Sequence, residues 1–271
     1  MNKSVVALSE QLLIAVRAAL EAGNVIMDVY QAPFDVEIKN DNSPLTIADK
    51  KANDVINGYL KPTGTPIISE ENRQLDYSER KSWEQCWIVD PLDGTKEFIK
   101  RNGEFTVNIA LTHLGVPKLG VIYAPYTREL YFAQTDLEKA WKIVVPESYE
   151  SAEELMESAV LIQPKADEKQ MRIVGSRSHL NDETKEYIEG LATAKEKEIV
   201  SKGSSLKFCL VAEGKADVYP RFAPTMEWDT AAGQAICEAV GVHVVALPSN
   251  SPMRYNKENL LNPWFLVSKE L

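Results

Sequence analysis

Apolar residues at Val5, Leu8, Leu12, Val16, Leu20 and Val29 recur at steps of mostly three and four, with polar positions between them. That spacing predicts a long amphipathic helix over residues 4–30. A second helix is predicted over 45–60, with Ala48, Ala52, Val55, Ile56 and Tyr59 turned inward and Pro62 and Gly64 closing it. The short apolar runs PIIS (66–69) and CWIVD (86–90), each bounded by polar residues, read as buried strands. From Phe105 to Ala133 the pattern changes. FTVNIALTH, KLGVIYA and ELYFAQ, separated by Gly-Val-Pro and Pro-Tyr-Thr-Arg, predict an antiparallel meander. Residues 146–171 are polar, rich in Glu and Lys, and form the expected boundary. Beyond them RIVGS, KEIVS, ADVYPRF and VHVVAL read as strands. They alternate with helices at 180–192, SLKFCLVAEG and WDTAAGQAICEAVG, the last ending at Gly241. A helix-plus-meander half followed by alternating strands and helices predicts a layered α/β architecture. No internal repeat or low-complexity segment interrupts it.

Length and composition change this picture little. The chain has 271 residues, 44% hydrophobic and 26% charged, enough for one large domain or two that share a core. The formal net charge of -10 argues against general binding to nucleic acid or anionic membranes. It is compatible with an acidic site that holds cations, although an acidic balance is more often only a solvated surface. Cys86, Cys209 and Cys237 are odd in number and scattered, with no CxxC pair, so neither a disulfide framework nor a zinc site is indicated. Cys209 and Cys237 sit among apolar neighbours as expected small core residues. The opening MNKSVVALSEQLLIAV is too often interrupted by polar residues for a signal peptide, and no apolar run approaches 18 residues. A soluble, cytoplasmic protein is expected, with a peripheral position at the inner membrane left open.

The chemistry concentrates in DPLDGTKE, residues 90–97. A strand ending at Asp90 places a carboxylate at its carboxyl edge, and Pro91-Leu92 turns the chain so that Asp93 points back to the same place. Gly94 permits close backbone approach, and Thr95 opens a short helix. Paired carboxylates with oxygen neighbours suit Mg²⁺, which shares its ligands with phosphate. A turn with a capping aspartate explains the spacing equally well. Three other stretches bear on the choice. Ser69-Glu70-Glu71 follows another strand, Trp228-Asp229-Thr230-Ala231-Ala232-Gly233 starts a helix of small residues, and the stretch from Asp41 to Asp49 supplies one more carboxylate at a helical run. Each alone is more simply a cap or a surface charge.

Together SEE, WIVDPLDGT and WDTAAG, in this order and spacing, resemble the inositol monophosphatase superfamily of lithium-sensitive, Mg²⁺-dependent phosphatases. The resemblance runs from SPLTIAD to NPWFLVS. It implies a layered α-β-α-β-α sandwich of the inositol monophosphatase and fructose-1,6-bisphosphatase type. It implies a single phosphatase unit over 1–271, with a metal-binding α+β half at 1–160 and an α/β half carrying specificity at 161–271. By matching motif, Glu70, Asp90, Asp93, Asp229 and the Leu92 carbonyl are expected to hold two or three Mg²⁺ ions. Thr95 and Asp49 are expected to orient and deprotonate the attacking water, with Glu70 beside them. The aspartates then tolerate each other because metal charge lies between them. The DxDGT signature of haloacid-dehalogenase phosphatases does not align, since Pro91 and Leu92 separate the aspartates here.

Within the superfamily, GSRSH (175–179), GSSLKFC (203–209), ADVYPR (216–221) and Lys96-Glu97-Phe98 resemble the bacterial 3'(2'),5'-bisphosphate nucleotidase branch. A bisphosphorylated nucleotide needs a second cationic site, for which Lys207 and Arg221 are the candidates, with Ser204 and the GSRSH turn donating hydrogen bonds. His179 is expected at base or sugar, against the reading of a surface-loop histidine, and Gly94, Thr95 and Asp229 also at the substrate. No role is assigned to His113 or His243. The resemblance implies a small-molecule nucleotide substrate: adenosine 3',5'-bisphosphate (PAP) hydrolysed to AMP and phosphate, and its sulfated relative PAPS to APS, in sulfur assimilation. An inositol or sugar phosphate monoesterase is the alternative. A non-catalytic sensor on the same fold is disfavoured because every ligand and the water-activating pair are present. The oligomeric state stays open.

Overall fold

The computed structural model describes residues 9–38, 44–167, 169–175 and 181–269. Helix α1 (Glu10–Gln31) starts where Ser9 accepts the Leu12 N–H as its cap, and α2 (Ile47–Leu60) starts at a Thr46/Asp49 capping box. The strands β1 (Val36–Ile38) and β2 (Pro44–Thr46) pair between them. A seven-stranded sheet follows: β3 (Ile67–Ser69), β4 (Gln85–Asp93), β5 (Thr106–His113), β6 (Val116–Ala124), β7 (Glu129–Gln134), β8 (Lys139–Val144) and β9 (Val160–Leu161), in chain order. Only β3 and β4 run parallel; the remainder is the expected meander, extended by β8 and β9. Short helices α3 (Tyr77–Arg80), α4 (Thr95–Ile99) and α5 (Ala152–Ser158) lie in its connections.

The second sheet holds β10 (Gln170–Gly175), β11 (Glu196–Ser201), β12 (Val218–Arg221), β13 (His243–Ala246), β14 (Ser251–Pro252) and β15 (Phe265–Ser268), in the order β11-β10-β12-β15-β13-β14. Its helices are α6 (Asp182–Gly190), α7 (Leu206–Ala212) and α8 (Ala231–Glu238).

Period-two alternation sorts the side chains into layers. Trp87, Val89, Val107, Ile109, Leu111, Val121 and Phe132 face the helix pair α1/α2. Their neighbours Cys86, Ile88, Ala110, Ile122 and Tyr131 face the opposite way, onto α7 and α8, whose far side meets Val174, Tyr219, Phe265 and Val267 of the second sheet. Ile173 and Val218 face outward again, where α6 covers them through Ile188. The result is the α-β-α-β-α sandwich that the resemblance implied.

Several local expectations need correction. Tyr59 is exposed, because Asn53 and Asn57, not Tyr59, occupy the inner face of α2. The polar stretch 146–171 contains α5, whose Ala152, Leu155 and Met156 are buried against the α1 layer. The strand carrying Asp90 does not end there; it continues to Asp93 through an irregularity. Trp228 and Asp229 lie in a 3₁₀ turn (Glu227–Asp229), and α8 starts only at Ala231. Residues 4–8 and Asp41, Asn42 and Ser43 lie outside the described residues.

Candidate active site

In β4, Asp90 pairs with Asn108 and Asp93 with Thr106, so three steps on β4 oppose two on β5. Carboxylates three apart on a regular strand would point to opposite faces. The one-residue bulge at Pro91-Leu92 returns both to the same side, and Pro91, which has no N–H to donate, sits where the ladder is already broken. Asp229 approaches from the turn before α8, and one carboxylate oxygen each of Asp90, Asp93 and Asp229 lie within 4.8 Å of one another. That approach needs α8 close to the sheet. A Cβ built on Gly120 of β6 would stand 2.5 Å from the Ala232 carbonyl oxygen. Glu70 follows β3, beside β4, its N–H bonded to the Val89 carbonyl.

Burial pushes the Asp90 carboxyl well above the usual carboxylate range, and Glu70, Asp93 and Asp229 push it further. Asp229 is raised to about 8, by burial first and by Asp93 next, against the hydrogen bond from the Met226 N–H and the charge of Arg221. A set of hard oxygen donors whose own charges oppose one another in a desolvated place fits a divalent cation. Asp93 is held firmly: its Oδ2 accepts from the Ser205 N–H at 2.6 Å, the Ser205 hydroxyl at 2.8 Å and the Asn108 amide at 3.3 Å.

Thr95 and Asp49 lie side by side. The Thr95 hydroxyl lies 3.2 Å from Asp49 Oδ1 and 3.3 Å from the Leu92 carbonyl oxygen, so it can donate to either. Asp49 Oδ2 accepts from the Thr46 N–H and hydroxyl, each at 2.7 Å. Asp49 is thus a helix-capping residue and a partner of Thr95 together, one oxygen for each.

A cavity of about 610 Å³ opens above Asp93 and Asp229, lined also by Gly94, Ser204, Lys207 and Arg221. Glu70, Asp49, Asp90 and Thr95 do not line it. Burial pushes the Lys207 ammonium down and Asp93 opposes that; its Nζ donates to the Ser204 carbonyl at 3.1 Å. Arg221 Nη2 donates to the Pro224 carbonyl at 3.3 Å, while its buried Nε has no hydrogen-bond partner among the described residues. Ser204 adopts φ 44°, a left-handed conformation that a side chain tolerates only where its surroundings enforce it. His179 lies outside the described residues, as do Ser176, Arg177 and Ser178 of the GSRSH turn.

Ser205 and Asn108 were not singled out as site residues, nor was the network behind Glu70. There Ser69 donates to Asn53 at 2.8 Å, and Asn53 and Asn57 both donate to Asn72 Oδ1, at 3.0 and 3.1 Å. The available signals were Thr106, Asn108 and Thr112, polar at period two in an apolar strand, and Asp49, Asn53 and Asn57 at helical spacing in α2.

Residues 7–265 match the model of the inositol monophosphatase family. The chain is 48% identical over 255 residues to the 3'(2'),5'-bisphosphate nucleotidase CysQ of Shigella flexneri, covering 92% of this chain and 96% of that protein. Among solved structures, CysQ from Bacteroides thetaiotaomicron, described as a bacterial member of the inositol monophosphatase family, superposes with a TM-score of 0.86 at 49% identity. The superposition covers 96% of this chain and 98% of the other. The extragenic suppressor protein suhB of Bartonella henselae shares the fold, with a TM-score of 0.72 at 23% identity over 97% and 95% of the two chains.

Proposed function

Given that the chain belongs to the inositol monophosphatase family, we propose that it is a Mg²⁺-dependent 3'(2'),5'-bisphosphate nucleotidase. It removes the 3'-phosphate of PAP to give AMP and phosphate, and converts PAPS to APS. The observation that carries this reading is one cavity lined both by carboxylates, Asp93 and Asp229, and by half-buried cations, Lys207 and Arg221. A monophosphate has no use for the second group. The relatives named as bisphosphate nucleotidases support the same choice.

Glu70, Asp90, Asp93, Asp229 and the Leu92 carbonyl would hold the Mg²⁺ ions, two or three in number. When bound, the ions supply charge neutralisation at the phosphate and a lowered pKa for water. The chain's own residues do the rest. Thr95 Oγ1 accepts a proton from the attacking water while its own proton passes to Asp49 Oδ1, and the water oxygen attacks the 3'-phosphorus in line. The bond to the 3'-oxygen breaks, that oxygen takes a proton from a solvent water as the nucleotide leaves, and Asp49 returns its proton to solvent. Asp49 is suited to receive the proton because burial already pushes its carboxyl up. Lys207 and Arg221 bind the 5'-phosphate, Arg221 Nε gaining an acceptor that it lacks among the described residues, and Gly94 and Ser204 shape the wall between the two phosphates. His179 is assigned to base or sugar.

The same reading treats residues 1–160 as the metal-binding half and 161–271 as the half that sets specificity. It includes lithium inhibition and a cytoplasmic setting. No helix among the described residues is long and apolar enough to cross a membrane. The test is phosphate release with Mg²⁺ from PAP, inositol 1-phosphate and fructose 1,6-bisphosphate, each beside Asp90→Asn. Preference for PAP, lost in the variant, is expected. Equal or greater turnover of inositol 1-phosphate would refute the bisphosphate assignment.

A further inference from the structure

The turn that carries Asp229 is held from a segment almost thirty residues further along the chain. Glu227 is fully buried, and its Oε1 accepts from Lys257 Nζ at 2.6 Å and from the Lys257 N–H at 3.0 Å. Its Oε2 accepts from the Asn256 N–H at 2.6 Å. Lys257 Nζ also reaches the Arg254 carbonyl at 3.1 Å and Asn262 Oδ1 at 3.3 Å, which fills its three donor positions. Asn262 in turn donates to the Met226 carbonyl at 2.7 Å and lies 3.0 Å from the Thr230 hydroxyl. Met226, Glu227 and Thr230, on both sides of Asp229, are therefore tied to residues 256–262. Asp229 Oδ2 accepts from the Met226 N–H at 2.8 Å, so a shift of that turn carries the carboxylate with it.

The same segment grips Arg80. Its Nη1 donates to Asn256 Oδ1 at 2.9 Å and to the Lys257 carbonyl at 2.6 Å, its Nη2 to the Glu258 carbonyl at 2.9 Å, and its carbonyl accepts from the Asn256 amide at 2.8 Å. Arg80 Nε then reaches back to the Leu75 carbonyl at 3.2 Å, in the loop that follows Glu70. Only Glu227 is fully buried, the Lys257 side chain staying 29% exposed, and such a pair gives little net stability over an apolar one, so what it chiefly contributes is the position of the turn.

We propose that Lys257, acting through buried Glu227, is a positioning residue that aims Asp229 at the metal site, with Arg80 tying the same strut to the Glu70 loop. The inference rests on the reading of Asp229 as a metal ligand. Losing a group that orients a metal ligand lowers metal affinity or activity by about 10- to 100-fold.

The experiment is a titration of the metal-free full chain with Mn²⁺, free ion read by electron paramagnetic resonance, with melting temperature recorded for each variant. Lys257→Met is expected to weaken Mn²⁺ binding by about 10-fold and Lys257→Arg to recover most of it. Asp229→Asn is expected to lose more. Should Lys257→Met leave Glu227 charged and the chain unfolded, Glu227→Gln/Lys257→Met removes the charge and is expected to weaken binding likewise. Wild-type Mn²⁺ affinity in the folded Lys257 variant, beside loss in Asp229→Asn, overturns the inference, even if its melting temperature has dropped. Wild-type affinity in Asp229→Asn removes the ligand reading and the inference with it.

Discussion

Gly120→Ala perturbs the site from a distance, through the packing that brings Asp229 to Asp90 and Asp93. The new methyl would meet the Ala232 carbonyl oxygen at 2.5 Å and the Ala235 Cβ at 2.8 Å. A carbon and a carbonyl oxygen in close contact stand roughly 3.3 Å apart, so about 0.8 Å has to be found. Strand β6 cannot supply it, because Gly120 is paired to Ala110 on one side and Ala133 on the other. Helix α8 moves instead, and it begins two residues after Asp229. Overpacking of this size costs about 1–3 kcal/mol, or roughly 2–10 °C in melting temperature for a chain of this length. Misplacing reacting groups by about 1 Å costs up to about 100-fold in rate. Differential scanning calorimetry and kcat/KM on PAP are the assays, with Gly58→Ala as control. Gly58 lies exposed in α2 with open space where a Cβ would go, and alanine there is expected to stabilise by about 0.5–1 kcal/mol without touching activity. A Gly120→Ala protein with unchanged melting temperature and kcat/KM would refute the reasoning.

Three further outcomes are expected. Ser205→Ala removes one donor to Asp93 and leaves the Asn108 amide, which donates to Ser205 Oγ at 2.8 Å, short of an acceptor. It should destabilise by about 1–3 kcal/mol in chemical denaturation, and a variant as stable as the parent would contradict it. Thr95→Val keeps shape and deletes the hydroxyl, so kcat should fall by about 10²- to 10⁴-fold with KM for PAP little changed; steady-state kinetics decide. In metal-free protein, the raised Asp229 pKa means the folded chain keeps a proton that the unfolded chain releases. That contribution to stability is full below the ordinary carboxylate range and is lost as pH rises to about 8. The melting temperature of the metal-free parent, measured relative to Asp229→Asn, should therefore fall between pH 5 and pH 8, and a rise over that window would contradict the assignment.

The layers and the acidic motifs were legible in sequence because both are local. Alternation in FTVNIALTH or KLGVIYA and the runs SEE, DPLDGT and WDTAAG depend on neighbours a few positions apart. Geometry made by pairing was less so. A spacing of three puts Asp90 and Asp93 on opposite faces of a regular strand, and only the register against Asn108 and Thr106 reveals the bulge that reunites them. Within GSSLKFC, Ser204 is the serine expected at the substrate, while Ser205 has no expected role and its N–H meets Asp93 only through the fold. Tyr59 was placed inward by helical spacing, which does not record that Asn53 and Asn57 have polar partners waiting in Asn72. Glu227 and Lys257 are thirty positions apart with no pattern between them, and only the fold introduces them.

The central claim is that the metal carboxylates receive one phosphate while Lys207 and Arg221 hold the other. Its most direct measurement is the ratio of kcat/KM for PAP to that for adenosine 3'-phosphate, which lacks the 5'-phosphate, in the parent and in Arg221→Met and Lys207→Met. The account predicts a strong preference for PAP in the parent that shrinks by about 10-fold or more in each variant, with turnover of adenosine 3'-phosphate little changed. A preference that survives both substitutions would contradict it.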